Sequence, residues 1–417
     1  MLQSVPLLFV LAGLVLYAVL GGADFGAGFW QLFAGRGEHA DAIREQADHS
    51  IGPVWEANHV WLIFVMTVFW TCYPKAFGSI ASTLALALFI AALGIIFRGA
   101  SYAFRAGAAT PRESGLIETI FSLSSILTPF ALGAAVGGIA TNRVPVGNAA
   151  GSLVSSWLNP VSIFLGVLSV TGCAYLAAVY LAADAAREGD PLLERDFRVR
   201  ALGAGTVAGA VAIAGILVLN ANSHPVYQSL ITGRALLAVV VSALAGLATL
   251  GLVRARHYEP ARYGAALAVA AIIAGWALAR WPTILPGLSV SQAAAGHETL
   301  VWVVVCIVIG TVTLFPSLGL LFRLALTGRF QTGDGCWPEQ PEQGETPAES
   351  GLTARAAIAC LIAGFGLLNV ANAEWAHAVG VVSLICFVAL GFRAIIFPAL
   401  ASQRSADETS SGSVSPH

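Results

Sequence analysis

The strongest constraint on this chain is a repeated pattern of long apolar runs broken by short charged loops. A helix rises about 1.5 Å per residue, so about 20 apolar residues cross the hydrocarbon of a bilayer. About eleven runs meet that length, over 6–33, 53–73, 78–104, 117–139, 158–184, 201–220, 233–253, 262–280, 297–324, 353–371 and 376–399. Only 11% of the 417 residues are charged, whereas soluble domains carry about a quarter. So few charges cannot cover a water-facing surface of this size, and the surrounding solvent must be largely lipid. The expectation is an all-α polytopic membrane protein. The first run lacks a basic leading segment and a convincing cleavage site, so it reads as a span and not as a cleavable signal.

Orientation follows from the basic residues, which concentrate on cytoplasmic loops. With the N-terminus outside, the inner loops hold about fifteen arginines, among them Arg36, Arg44, Arg187, Arg198, Arg256 and Arg329. The outer loops hold four basic residues, Lys75, Arg143, Arg234 and Arg280. An N-out, C-in topology results. Residues 1–330 form the main membrane domain, 331–351 a Pro-, Gly- and Glu-rich linker, 352–400 an extra transmembrane helix pair and 401–417 a Ser-rich, disordered tail. Two four-helix units, 6–139 and 158–280, are a natural division.

Several function classes fall away. A net charge of −2 offers no basic patch for nucleic acid. The cysteines form no CxxC pair, so neither a zinc site nor a disulfide framework is expected. No P-loop, nucleophile elbow or HExxH is present.

Ionisable groups inside spans are costly, and they are usually paired or functional. Asp24 lies in the inner half of the first span, Glu56 and His59 at the inner start of the second, and Arg98 late in the third. The topology brings all four to similar depth, where they can form a paired network or a proton path. Glu56 and His59 are three residues apart and share a helix face, as do Trp55 and His59, four apart, and Asn58 and Trp61. The competing reading is structural: Asp24–Arg98 as a buried ion pair, Arg44 as a pairing charge, and Trp55 and Trp61 as interfacial aromatics. Gly21, Gly22, Gly26 and Gly28 would permit close helix contact. His297 and His377 each open a span that starts on the outer side. They are candidate axial haem ligands, against the stronger reading of interfacial histidines.

The stretches GGADFGAG, then IGPVWEANHVWL, then IFRGASYAFR resemble the first three helices of subunit II of cytochrome bd-type quinol oxidases. FSLSSILTPFALGAAVGG resembles that family's fourth helix, and WPTILPG followed by AAAGHETL its last long helix. The resemblance covers about residues 1–330, and five motifs in order make it specific. It implies two four-helix bundles plus one further helix, here extended by the C-terminal pair. It also implies a haem-bearing subunit I as partner, carrying haems b and d and the quinol site, in a bacterial plasma-membrane complex that oxidises quinol, reduces dioxygen to water and takes protons from the cytoplasm. No cofactor is expected on this chain itself, although a quinone or lipid between the bundles is allowed. The stretch 221–232 is too short to hold a quinol site. The candidate proton path is then Glu56, His59 and Asp24. Three positions depart from the family pattern: Glu56 stands for its aspartate, Gly21 for the first acid of its first helix, and Ala103 for a glutamate. The alternatives are a secondary transporter, which should show discontinuous helices near the midplane, and a haem-free scaffold for another redox complex.

Overall fold

The computed structural model describes residues 2–35, 37–51, 55–105, 111–326, 355–364, 367, 375–376 and 378–390, without the side chains of 49–51, 55–57, 105, 111, 314–315 and 317–326. The chain divides into two compact units, Met1–Leu318 and Gly319–His417.

The first span is α1 (Val5–Leu16), a π-turn (Tyr17–Gly21) and α2 (Gly22–Leu32). There follow α3 (Glu38–Ile51), α4 (Trp55–Cys72), α5 (Pro74–Thr83), α6 (Ala85–Arg105), α7 (Pro111–Ala140), α8 (Pro160–Glu188), α9 (Pro191–Asn222), α10 (His224–Ile231), α11 (Gly233–Arg254) and α12 (Tyr258–Arg280). A hairpin of β1 (Thr283–Leu285) and β2 (Leu288–Ser289), then α13 (Val290–Ala293), leads into α14 (His297–Leu326). Among the described residues, seven helices are long and apolar enough to cross a membrane. Shorter apolar helices, Asn58–Cys72, His297–Thr313, Arg355–Gly364 and Ala378–Leu390, lie where the remaining spans are expected.

Two boundaries differ from the expectation. The run 78–104 is not one helix: α5 ends at Thr83 and α6 begins at Ala85, with Leu84 between them. Hydroxyls distinguish this corner, Ser82 donating to the Gly78 carbonyl and accepting from the Ala149 amide. The first span contains a π-turn, so its α-helical hydrogen bonding is not uniform. Hydrophobicity alone is blind to both features.

Helix α8 sits at the centre and packs on α2, α7, α9 and α12. Its residues Cys173–Val179 and Leu181–Ala183 are all buried. Alanine dominates this stretch, and small side chains let several helix backbones approach where lipid offers no hydrophobic drive. The α8–α9 corner is sharp for local reasons. Gly189 takes the left-handed conformation, φ 78°, that ends a helix at low cost. Asp190 then accepts from the Leu192 and Leu193 amides while Pro191 begins α9.

The two ends of the bundle use different residues. At one end His39 meets Asp196 at 2.5 Å, Arg187 meets Glu259 at 2.5 Å, and Tyr258 donates to Glu194 at 2.7 Å. At the other, Tyr73 donates to the Gln3 carbonyl, the Ala295 amide bonds the Cys72 carbonyl, and Arg280 bonds Asn142. This segregation is what alternating antiparallel spans require. In the second unit, a Cβ added at Gly364 would stand 2.7 Å from Leu384 and 3.0 Å from the Gly380 carbonyl, so the two short helices pack closely there. The linker 331–351 and the tail 401–417 lie outside the described residues.

Candidate functional site

The polar cluster of the first unit is built by α2, α4, α6, α7 and the π-turn. Asp24 and Arg98 are both buried, and the Arg98 Nη2 donates to Asp24 Oδ1. The same nitrogen donates to the Asp24 carbonyl at 3.0 Å, and Nη1 donates to the Ser125 hydroxyl. Ser125 in turn donates to the Phe121 carbonyl at 2.7 Å. The guanidinium carbon stands 4.1 Å from the Phe121 ring centroid and 5.2 Å from that of Phe25. Arg98 thus meets a carboxylate, a carbonyl, a hydroxyl and two aromatic faces, the set of partners a buried guanidinium needs to offset its desolvation.

Glycine makes this closeness possible. A Cβ at Gly28 would lie 2.2 Å from the Ser125 hydroxyl, and one at Gly26 1.9 Å from the Cys173 carbonyl. Gly22 faces Leu176 at 3.1 Å. Gly21 differs from the sequence expectation: its nearest neighbour is the ring of Tyr17 in its own helix, at 3.3 Å. The space it leaves is filled by an aromatic ring and not by another helix.

His59 lies in the same neighbourhood. Its ring centroid is 6.3 Å from that of Tyr17 and 6.2 Å from that of Phe25. Asn58, almost fully buried, donates from Nδ2 to the Leu20 carbonyl of the π-turn at 3.4 Å. A π-turn displaces carbonyls from their usual i+4 donors, and the amide from α4 reaches one of them. Trp61 packs edge-on against Phe64 and borders the Tyr17–Phe25–Cys173 cluster. The backbone of Trp55 and Glu56 begins α4, but their side chains lie outside the described residues.

Arg44 stands apart. It is on α3, pairing with Asp41 at 2.8 Å and donating to the Gly35 carbonyl at 2.7 Å. Asp48, also on α3, accepts from Gln31 of α2 at 2.6 Å. His297 is exposed at the first turn of α14, and His377 lies outside the described residues. Among the described residues no group of three or more His, Cys, Asp or Glu is arranged to hold a metal ion.

Sequence reasoning missed Tyr17, Phe25, Phe121 and Ser125. Ser125 stands in the FSLSSIL stretch, but one serine among several gave no sign of which faces Arg98. Tyr17 had no signal, because its position depends on the π-turn.

The chain is similar to known proteins. The profile of "Cytochrome bd terminal oxidase subunit II" matches residues 2–325. The Escherichia coli (strain K12) cytochrome bd-I ubiquinol oxidase subunit 2 is 26% identical over 185 residues, covering 41% of this chain and 46% of that protein. A putative cytochrome bd menaquinol oxidase subunit II of Bacillus subtilis (strain 168) is 24% identical over 221 residues, 52% of this chain and 62% of that one. The chain therefore spans roughly half the length of these curated relatives. The solved bd oxidase of Geobacillus thermodenitrificans has a chain that superposes with a TM-score of 0.66 at 23% identity, covering 78% of this chain and 99% of its own. That likeness concerns the fold.

Proposed function

The chain belongs to the cytochrome bd terminal oxidase subunit II family, and on that premise we propose that it is the accessory membrane subunit of a quinol oxidase complex reducing dioxygen to water. Family membership over residues 2–325 carries this reading. The complex resides in a bacterial plasma membrane, with haems b and d and the quinol site in a partner subunit I that this chain stabilises. Eleven spans run N-out, C-in as two four-helix bundles and a further helix. The residues 331–351 then join that domain to an appended helix pair at 352–400. The seven long apolar helices and four shorter ones support that count.

The chain also helps proton uptake from the cytoplasm. Glu56 begins α4 near the positive end of its helix dipole, where a carboxylate is favoured. His59 follows one turn later, and its ring can take a proton on one nitrogen while releasing one from the other. Asp24, fixed by Arg98, is the carboxylate beside the histidine. The route is thus Glu56, then His59, with Asp24 beside it. The test is Glu56→Gln in the assembled oxidase. Oxygen reduction should slow while the haem spectrum and the subunit ratio stay normal. Unchanged turnover, or loss of assembly, would remove Glu56 from the route.

A further inference from the structure

Three buried polar atoms around the π-turn have no protein partner among the described residues: the Tyr17 hydroxyl, Asp24 Oδ2 and Asn58 Oδ1. Their residues are only 6%, 5% and 1% exposed, so bulk solvent does not reach them. Such groups are nearly always satisfied in native proteins, by protein or by an internal water. Their placement links them. The Tyr17 ring lies alongside Gly21 and edge-on to Phe25, 6.4 Å between centroids, which sets it beside the turn that carries Asp24. Asn58 reaches the π-turn just before it from α4 with Nδ2 on the Leu20 carbonyl, leaving Oδ1 as the free end of its amide. Asp24 gives Oδ1 to Arg98 and keeps Oδ2.

We infer that the π-turn encloses a water site, in which one molecule joins Tyr17 Oη, Asp24 Oδ2 and Asn58 Oδ1. The stoichiometry fits water. The phenol has one hydrogen to donate, and the other two atoms only accept. A water accepts the first and donates to the other two, satisfying all three together. A metal cation would compete with the Arg98 guanidinium already paired to Asp24, and an anion would face the Asp24 carboxylate. A direct Tyr17–Asp24 bond would leave the Asn58 oxygen unsatisfied. The site concerns hydration of the helix packing and does not depend on the proton-uptake reading.

The test is a high-resolution structure of the assembled oxidase, with the wild-type chain and with Tyr17→Phe. The wild type should show an ordered solvent peak within about 3 Å of Tyr17 Oη and Asp24 Oδ2. The phenylalanine variant should lose or displace that peak with Asp24–Arg98 intact. A dry site, with the Tyr17 hydroxyl bonded directly to a protein group of either subunit, would overturn the inference. So would a peak unmoved by Tyr17→Phe. Asn58→Leu is the second variant should the first not assemble, with the same expected loss, and the wild-type density decides if neither does. Because the readout is the solvent peak and not turnover, a silent Glu56→Gln leaves this site standing, and a dry site leaves the uptake route standing.

Discussion

Asp24 and Arg98 join α2 to α6 with 3% of each side chain exposed, whereas Asp184, Arg187, Arg262 and Glu259 join α8 to α12 with 20% to 60% exposed. Both places pair arginine with carboxylates. Arg262 donates to Asp184 and to the Tyr180 carbonyl at 3.0 Å, much as Arg98 donates to the side chain and carbonyl of Asp24. The difference is access to water. At the rim, solvent can replace a lost partner, and salt screens what remains. In the interior no replacement exists, so deleting one member leaves a bare charge in a low-dielectric environment. Near-identical chemistry should therefore behave as a structural requirement in one region and as a small adjustment in the other.

Arg98→Leu should produce the largest effect, destabilising the chain by about 3–5 kcal/mol because Asp24 is left uncompensated. The loss should appear as a low yield of assembled complex and a lowered thermal midpoint in detergent. The double variant Asp24→Leu with Arg98→Leu sharpens the point by removing both charges. It should recover much of the loss, and a double variant as unstable as the single one would show that the attraction itself, not the orphaned charge, dominates.

Gly26→Ala comes next, at about 1–3 kcal/mol, since its Cβ would meet the Cys173 backbone carbonyl at 1.9 Å. Gly209→Ala is the control. Nothing lies within 4 Å of a Cβ there, and the midpoint should hold or rise slightly. Equal losses at both positions would mean that close packing at Gly26 does not set the cost, since helix propensity favours alanine at both.

Arg262→Ala should cost about 1–2 kcal/mol, as expected for a half-buried charged hydrogen bond. Arg187→Ala should cost less than about 1 kcal/mol, shrinking further when thermal midpoints are measured in high salt. A salt-independent loss at Arg187 matching that at Arg98 would break the comparison between the two regions.

The polar cluster is partly legible in the amino-acid sequence. Asp24, His59, Asn58 and Arg98 stand out because a polar group in an apolar run is costly wherever the run folds. Their common depth follows from antiparallel alternation. Which groups pair is not legible: Arg98 takes Ser125 and two phenylalanine rings as well as Asp24, and Arg44 pairs locally on α3. Pairing depends on the rotation of each helix about its axis. A π-turn changes that rotation by about one residue, or about 100°, and nothing in the apolar pattern of 6–33 announces it.

By itself, then, the sequence determined a helical membrane protein, the approximate position of its long apolar helices, and its kinship with subunit II of bd oxidases. Those properties rest on local quantities: the length of an apolar run and short motifs in order. Only the tertiary structure decided that Tyr17 lies over Gly21, that Gly26 and Gly28 admit Cys173 and Ser125, that α8 is the hub, and that the same ion-pair chemistry is sealed in one region and open in another. These depend on helix rotation and on backbone distances between segments up to about 150 residues apart, such as Gly26 and Cys173. Apolar periodicity in lipid carries little information about them, because lipid and helix interior reward the same side chains.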